Sequence, residues 1–155
     1  MKDRLDPAFR QTLVEAVRAL DAAGLDWCVF GGAAFALHRS TSDPVPDIDV
    51  WVPPDAGEAL STVAGLRDCS DGGTALFRSR RRLVGTFGPV PVEILLGFEV
   101  RTAGRWEPVA IGERAAIALD DVSIAVPERT ELARLFRLIG REKDIARADI
   151  LERDG

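Results

Sequence analysis

The chain of 155 residues is long enough for one compact domain and short for two, so we expect residues 1–155 to form a single domain. Apolar residues make up 46% of the chain and charged residues 29%, as in ordinary globular proteins, and the net charge of −5 argues against a generally basic surface for duplex nucleic acid. The single histidine and the spacing of Cys28 and Cys69 fit no zinc or redox motif. No segment resembles a signal peptide or a membrane span, so we expect a cytoplasmic protein without a membrane partner.

Residues 6 to 23 have the pattern of an amphipathic helix. Its apolar residues recur at helical spacing: Phe9, Leu13, Val17 and Leu20. Asp6 stands where an N-terminal cap belongs, and Gly24 stands where a C-terminal cap belongs. We expect this helix to pack in the core and to carry no chemistry.

A glycine pair follows the first predicted strand. The apolar run 27–30 is typical of a buried strand, and Gly31 and Gly32 separate it from the helix-prone segment 33–38. Glycine lets backbone N–H groups approach an anion closely, and a helix N-terminus supplies unpaired donors and partial positive charge. The pair is consistent with a phosphate site, although a tight strand-to-helix turn is the commoner explanation of a glycine pair on its own.

An acidic pair enters the next strand. Asp47 and Asp49 lie two apart in the apolar run 46–52, so a strand would project both carboxylates from one face and turn Ile48 to the other. Two like charges in an apolar segment are costly without a cation, and hard oxygen ligands suit Mg²⁺ or Mn²⁺. The chain has fifteen aspartates, so about one such spacing is expected by chance. The apolar context favours the metal interpretation.

Residues 53 to 96 are predicted to hold a helix over 53–66 and then two or three strands. Between these strands lies the only dense basic run of the chain, residues 78–82. One interpretation is a solvated turn or a protected sheet edge. The other is a patch for a phosphate-bearing acceptor such as RNA, because arginine binds phosphate bidentately.

Glu93 lies alone in the apolar run 90–96. A single buried acid is expected to pair, to protonate or to bind metal, because burying it alone is unfavourable. A strand half exposed to solvent is the alternative. Together with Asp47 and Asp49, Glu93 would complete a three-carboxylate site for divalent ions.

The remaining chain reads as short strands at 109–111 and 122–126, followed by two helices that meet at Gly140. The residues after Gly140 include Arg141, Lys143 and Asp144. They fit a capped turn with ordinary ion pairs.

The glycine turn at 31–32, the acidic pair at 47–49 and the third acid within 92–94 resemble, in order and spacing, the signature of the nucleotidyltransferase superfamily, whose fold is shared with DNA polymerase beta. The segment 140–145 is similar to an ending common in small bacterial members, including those of toxin–antitoxin and abortive-infection systems. The resemblance spans residues 25–151. We accordingly predict an α/β (α+β) fold, with a small mixed twisted sheet, helices mainly on one face and the metal site at the sheet edge.

The resemblance implies Mg²⁺-dependent transfer of a nucleoside monophosphate from an NTP to a hydroxyl-bearing acceptor, with release of pyrophosphate. The expected catalytic and metal-binding residues are Asp47, Asp49 and Glu93. The expected nucleotide-binding residues are Gly31, Gly32, Arg39 and Lys143.

The sequence names no acceptor: tRNA, a protein hydroxyl and a small molecule such as an aminoglycoside all remain open. Larger members of the superfamily bring an added helical domain for the acceptor, so a homodimer or a protein partner could complete the site here. The alternative function is a non-catalytic nucleotide-binding or partner-binding module, such as a toxin–antitoxin component, that has kept the scaffold.

Overall fold

The computed structural model describes residues 4–154. The helices are α1 (Pro7–Ala22), α2 (Gly31–Arg39), α3 (Gly57–Leu60), α4 (Arg129–Ile139) and α5 (Glu142–Asp154). The strands are β1 (Cys28–Phe30), β2 (Ile48–Val52), β3 (Arg67–Asp68), β4 (Phe77–Arg78), β5 (Arg81–Thr86), β6 (Pro91–Leu96), β7 (Glu99–Thr102), β8 (Arg105–Pro108), β9 (Arg114–Leu119) and β10 (Val122–Pro127).

The main sheet has five strands in the order β1-β2-β6-β5-β3. Its central pair, β2 and β6, is parallel, and the other neighbouring strands are antiparallel. A hairpin of β9 and β10 and a small sheet of β4, β7 and β8 complete the strands. The mixed α/β architecture confirms the predicted fold class.

The two faces of the main sheet carry two separate hydrophobic cores. One face carries the larger core, which includes Val50 and Ile94, and all five helices contribute buried residues to it. The opposite face carries a smaller core that contains Phe30, Trp51 and Leu95. Because side chains alternate along a strand, Asp49 and Glu93 lie on the side of this smaller core.

Two predicted elements differ from the structure. The helix expected over 53–66 is only the short α3, because Ser61 and Thr62 donate their hydroxyls back to the carbonyls three residues earlier and the chain then turns. The strand expected at 109–111 is a loop. The backbone of Val109 is satisfied there without a strand neighbour: its N–H donates to the Phe98 carbonyl, and its carbonyl accepts from the Trp51 indole.

The predicted helix ends are close to those observed. Asp6 caps α1 by accepting the Phe9 N–H at 3.2 Å, and Gly140, with φ +78°, ends α4 in the left-handed conformation. No helix within residues 4–154 combines the length and the apolar character that crossing a membrane would require.

Candidate active site

The three predicted acids converge at the start of the central strand pair. Asp47 directly precedes β2, Asp49 lies within β2, and the parallel register pairs Asp49 with Glu93 of β6. One carboxylate oxygen from each residue lies within 4.8 Å of the others. These are central strands of the sheet, so the prediction of a site at the sheet edge is wrong. The sheet continues beyond β6 with β5 and β3, and β1 lies beyond β2, so neither β2 nor β6 is an edge strand.

The pKa values of both aspartates are raised. Burial raises the pKa of Asp49 well above its ordinary value, and a hydrogen bond with Glu93 and the charges of Asp47 and Glu93 raise it further. Burial and the Glu93 charge also raise the pKa of Asp47, against the opposing charges of Lys143, Arg82 and Arg147. A set of three carboxylates under mutual repulsion is one that could hold a divalent cation.

Arg82 of β5 forms an ion pair with Glu93. Its Nε donates to Glu93 Oε1 at 2.7 Å, and its Nη2 donates to the same oxygen. Its Nη1 donates to the Cys69 carbonyl at 3.1 Å. Because both contacts fall on Oε1, they leave Glu93 Oε2 without a contact to Arg82. This pair was not predicted from the sequence, because the register of β5 on β6, which pairs Arg82 with Leu95, cannot be read from the chain.

The other arginines of the 78–82 run make separate contacts. Arg78 pairs with Glu99 at 2.7 Å and stacks over the Trp106 ring at 4.2 Å. Arg80 donates to a loop carbonyl at 2.5 Å, and Arg81 pairs with an exposed aspartate of β3 at 3.3 Å. The run therefore forms no continuous patch for an acceptor. Arg78 and Arg82 line the cleft, and Arg81 fits the predicted sheet edge.

The glycine turn faces the acids. Gly31 has φ +62°, and a Cβ there would lie 3.4 Å from Asp49 Oδ2. No side chain caps this end of α2. A Cβ at Gly32 would lie 3.5 Å from the Arg147 guanidinium, which also lies over the Phe35 ring at 5.6 Å. Backbone donors and a cation therefore meet at one point.

The turn before α5 explains the segment 140–145. Asp144 is fully buried and accepts the Arg141 backbone N–H at 3.2 Å and the Arg141 guanidinium at 2.7 Å and 3.1 Å. This is the capped turn with an ion pair that the sequence suggested. It starts α5 so that Lys143 and Arg147, one helical turn apart, both line the cleft.

For two arginines, the residues that line the cleft differ from the nucleotide-binding residues expected from the sequence. Arg39 ends α2, about 12 Å along the helix from Gly31, and its Nε lies 3.7 Å from Asp154. Arg39 does not line the cleft, so its assignment to the nucleotide is not supported by its position. Arg147 lines the cleft but was not singled out from the sequence. Its spacing of four residues from Lys143 on a predicted helix was the signal that could have found it.

The cleft has a volume of about 500 Å³. Its polar lining combines the glycine turn, the three acids and the cations of α5. Its apolar lining comes from both cores and includes Phe30, Phe35, Leu95, Phe98, Phe136 and Ile139. A cleft with an apolar floor and a few convergent charged groups is typical of a ligand site.

No family model matches this sequence, and no curated protein matches it. Solved structures do match. A Thermotoga maritima protein described as a candidate nucleotidyltransferase aligns with a TM-score of 0.68 and 20% identity over 96% of this chain and 93% of its own. The lincosamide antibiotic adenylyltransferase LnuA, bound to lincomycin, aligns with a TM-score of 0.61 and 13% identity over 91% of this chain and 94% of its own.

A third structure, ANT(2″)-Ia in complex with adenylyl-2″-tobramycin, aligns with a TM-score of 0.53 and 13% identity over 94% of this chain and 97% of its own. The chain therefore has the fold of the nucleotidyltransferase superfamily. This result confirms the fold that the sequence resemblance implied.

Proposed function

We propose that this protein is a divalent-metal-dependent nucleotidyltransferase, which transfers a nucleoside monophosphate from an NTP to an acceptor hydroxyl. One observation carries the proposal: three carboxylates from two adjacent central strands meet within 4.8 Å, in the cleft that the glycine turn also lines. A buried carboxylate with a strongly raised pKa, such as Asp49, is typical of functional clefts.

Asp47, Asp49 and Glu93 would hold the metal. All three offer oxygen ligands, which suits Mg²⁺ or Mn²⁺ better than zinc. The fit is supported by the raised pKa values of both aspartates, because burial and nearby negative charge raise them and a bound cation would offset both effects. When bound, the metal supplies Lewis-acid activation of the acceptor hydroxyl and stabilises negative charge on the phosphates.

The first turn of α2 would bind the β- and γ-phosphates. Gly31 and Gly32 allow close approach to its backbone N–H groups, and Lys143 and Arg147 add positive charge from α5. Within residues 4–154, Arg147 makes no ion pair, so its charge is available to a ligand. Lys143 already acts on Asp47 electrostatically, which supports its place beside the reacting phosphates.

In the proposed reaction, the acceptor oxygen forms a bond to the α-phosphorus. The bond from this phosphorus to the bridging oxygen of the β-phosphate breaks, and pyrophosphate and the hydroxyl proton leave. The chain's own residues hold the two reactants in line and compensate the phosphate charge. We assign Glu93 to the metal rather than to proton transfer, because one of its carboxylate oxygens lies within 4.8 Å of an oxygen from each aspartate.

We further propose a small-molecule hydroxyl as the acceptor. LnuA is a lincosamide adenylyltransferase, and ANT(2″)-Ia was captured with adenylylated tobramycin. This chain covers 94% and 97% of those two structures, so a domain of this extent accounts for nearly all of each. A tRNA or protein hydroxyl is the outcome that would redirect this part of the proposal.

The test combines each of the four labelled NTPs with Mg²⁺, the purified protein and one of three acceptor sources: lincomycin, tobramycin or a fractionated cell extract. We expect label to pass to a small molecule with release of an equal amount of pyrophosphate. Chelation of the metal should stop the reaction. Asp47→Asn and Asp49→Asn should each lower turnover at least about a hundredfold, whereas the exposed Asp55→Asn should not.

We call Asp47, Asp49 and Glu93 the acidic triad. Unchanged Mg²⁺-dependent turnover in both aspartate variants would overturn the catalytic assignment. NTP binding without pyrophosphate release, across all acceptor sources, would instead favour a non-catalytic module, such as a toxin–antitoxin component. Co-purification with a protein partner would then identify the second component.

A further inference from the structure

Arg82 is the cation in direct contact with the acidic triad. Its two hydrogen bonds to Glu93 Oε1 place a positive charge against one of the three carboxylates that would hold the metal. Its side chain is 35% exposed and lines the same cleft as Gly31, Gly32 and Arg147. Arg82 is therefore held by the triad but also reachable by a ligand in the cleft.

A divalent ion on the triad and the guanidinium of Arg82 would share the carboxylate of Glu93. Like charges at such short range repel strongly, and the ion carries twice the charge of the arginine. An NTP adds several negative charges to the same cleft, and arginine binds phosphate oxygens bidentately. The phosphates therefore offer Arg82 a second partner at the moment when the metal competes for the first.

We propose, on the basis of the proposed function, that Arg82 exchanges partners: it neutralises Glu93 until a divalent ion takes that carboxylate, and it then binds the phosphates of the NTP. Arg82 is thus an additional nucleotide-binding residue that stabilises the acids before substrate enters. The proposal differs from a fixed positioning role, in which Arg82 would stay on Glu93 and orient it toward the metal.

The neighbouring Arg81 provides a matched control. It lies on the same strand, but alternation of the strand turns it away from the cleft, where it pairs with Asp68 at the exposed edge. Arg81→Met therefore removes the same charge and the same side chain one position away, without touching the triad.

The experiment measures two affinities at pH 8 by isothermal titration. The first probe is Mn²⁺ alone, and the second is inorganic triphosphate in the presence of saturating Mg²⁺. We expect Arg82→Met to bind Mn²⁺ roughly tenfold more tightly than the wild type, because a unit charge about 5 Å from a dication is worth about that factor even with water-like screening. We expect it to bind triphosphate at least about tenfold more weakly, because a charge-assisted bidentate contact is lost.

Arg82→Lys keeps the charge and should restore Mn²⁺ affinity to near the wild-type value, and Arg81→Met should change neither affinity. Circular dichroism and thermal melting confirm that each variant folds. Weaker Mn²⁺ binding by Arg82→Met would show a fixed positioning role, and unchanged triphosphate binding would show that Arg82 never reaches the phosphates. Either result overturns the proposal. If the wild type itself fails to bind Mn²⁺, the proposed function fails instead, which keeps the two failures distinct.

Discussion

The guanidinium of Arg147 lies against Gly32, with two of its nitrogens 3.5 Å from the position that a Cβ would occupy at that glycine. This relationship joins α5 to the N-terminus of α2 at the point where the acids also meet. The two adjacent glycines therefore have different requirements: Gly32 leaves room for this guanidinium, whereas Gly31 adopts a positive φ.

Substitution of the two glycines should affect two different properties: stability at Gly31 and NTP binding at Gly32. Gly31→Ala should lower stability by about 1–2 kcal/mol, because φ is +62° and an alanine there is strained. Gly32→Ala should leave stability nearly unchanged, because its φ is not in the left-handed region and its Cβ would make only an ordinary contact. It should still weaken NTP binding at least about tenfold, since the methyl group occupies the approach to the N–H donors. Thermal melting and NTP titration separate the two effects. Equal melting temperatures for both variants would contradict this interpretation of the turn.

Arg147→Met should raise the KM for NTP by about tenfold or more, because a cation that faces the turn is lost while an unbranched side chain is kept at this position. The control is Arg153→Met, an exposed arginine of the same helix outside the cleft. Steady-state kinetics at saturating acceptor provide the measurement. A KM effect of equal size in both variants would indicate general electrostatics rather than a specific contact.

Asp49→Asn should make the protein more stable to heat and inactive as an enzyme. The folded-state pKa of Asp49 is raised above its ordinary value of about 3.9, so the folded protein holds this proton more tightly than the unfolded chain does. The contribution of Asp49 to stability is therefore lost as the pH rises from about 4 through the folded-state pKa. Asp49→Asn removes this pH-dependent loss of stability. The melting temperature of the variant should therefore exceed that of the wild type by an amount that grows with pH over that window.

The same variant tests the metal site directly. In the presence of a chelator, each kcal/mol that Asp49→Asn gains in its free energy of unfolding should raise the melting temperature by about 2–4 °C for a chain of this size. Mg²⁺ should stabilise the wild type but not Asp49→Asn. A variant that melts below the wild type at pH 8 in chelator would show that burial and neighbouring charge do not destabilise the ionised Asp49.

Asp144→Ala should destabilise the protein by about 3 kcal/mol, because the fully buried carboxylate accepts three hydrogen bonds from Arg141 and begins α5. The matched variant Asp149→Ala, at an exposed position of the same helix, should shift the melting temperature by less than about 2 °C. Denaturant titration checks the difference. Similar midpoints for both variants would mean that the cap contributes little.

The sequence was sufficient for those parts of the site that depend on local pattern. The alternation of a strand predicts that Asp47 and Asp49 share a face, and a glycine turn before a helix predicts backbone donors beside them. Glu93 was found because one acid in an apolar run is unfavourable alone. Each of these inferences needs only a short stretch of chain.

The parts that the sequence did not predict depend on long-range pairing. Arg82 meets Glu93 only because of the register between β5 and β6, and Arg147 meets Gly32 because α4 packs against both α2 and α5. The assignment of Arg39 to the nucleotide is not supported by its position, because a helix separates its two ends by its own length. The small hairpin of β7 and β8 was also missed, since its exposed strands lack a clear apolar alternation.

The parallel register of β2 and β6 would couple the proposed ion uptake to correct folding. A slip of one residue in this pairing would send Glu93 through to the opposite side of the sheet, into the larger core, and leave the aspartates without their third partner. A partly folded or misaligned chain would therefore have no competent binding centre. Manganese uptake followed during refolding should consequently report the moment when the middle of the sheet locks into its native alignment.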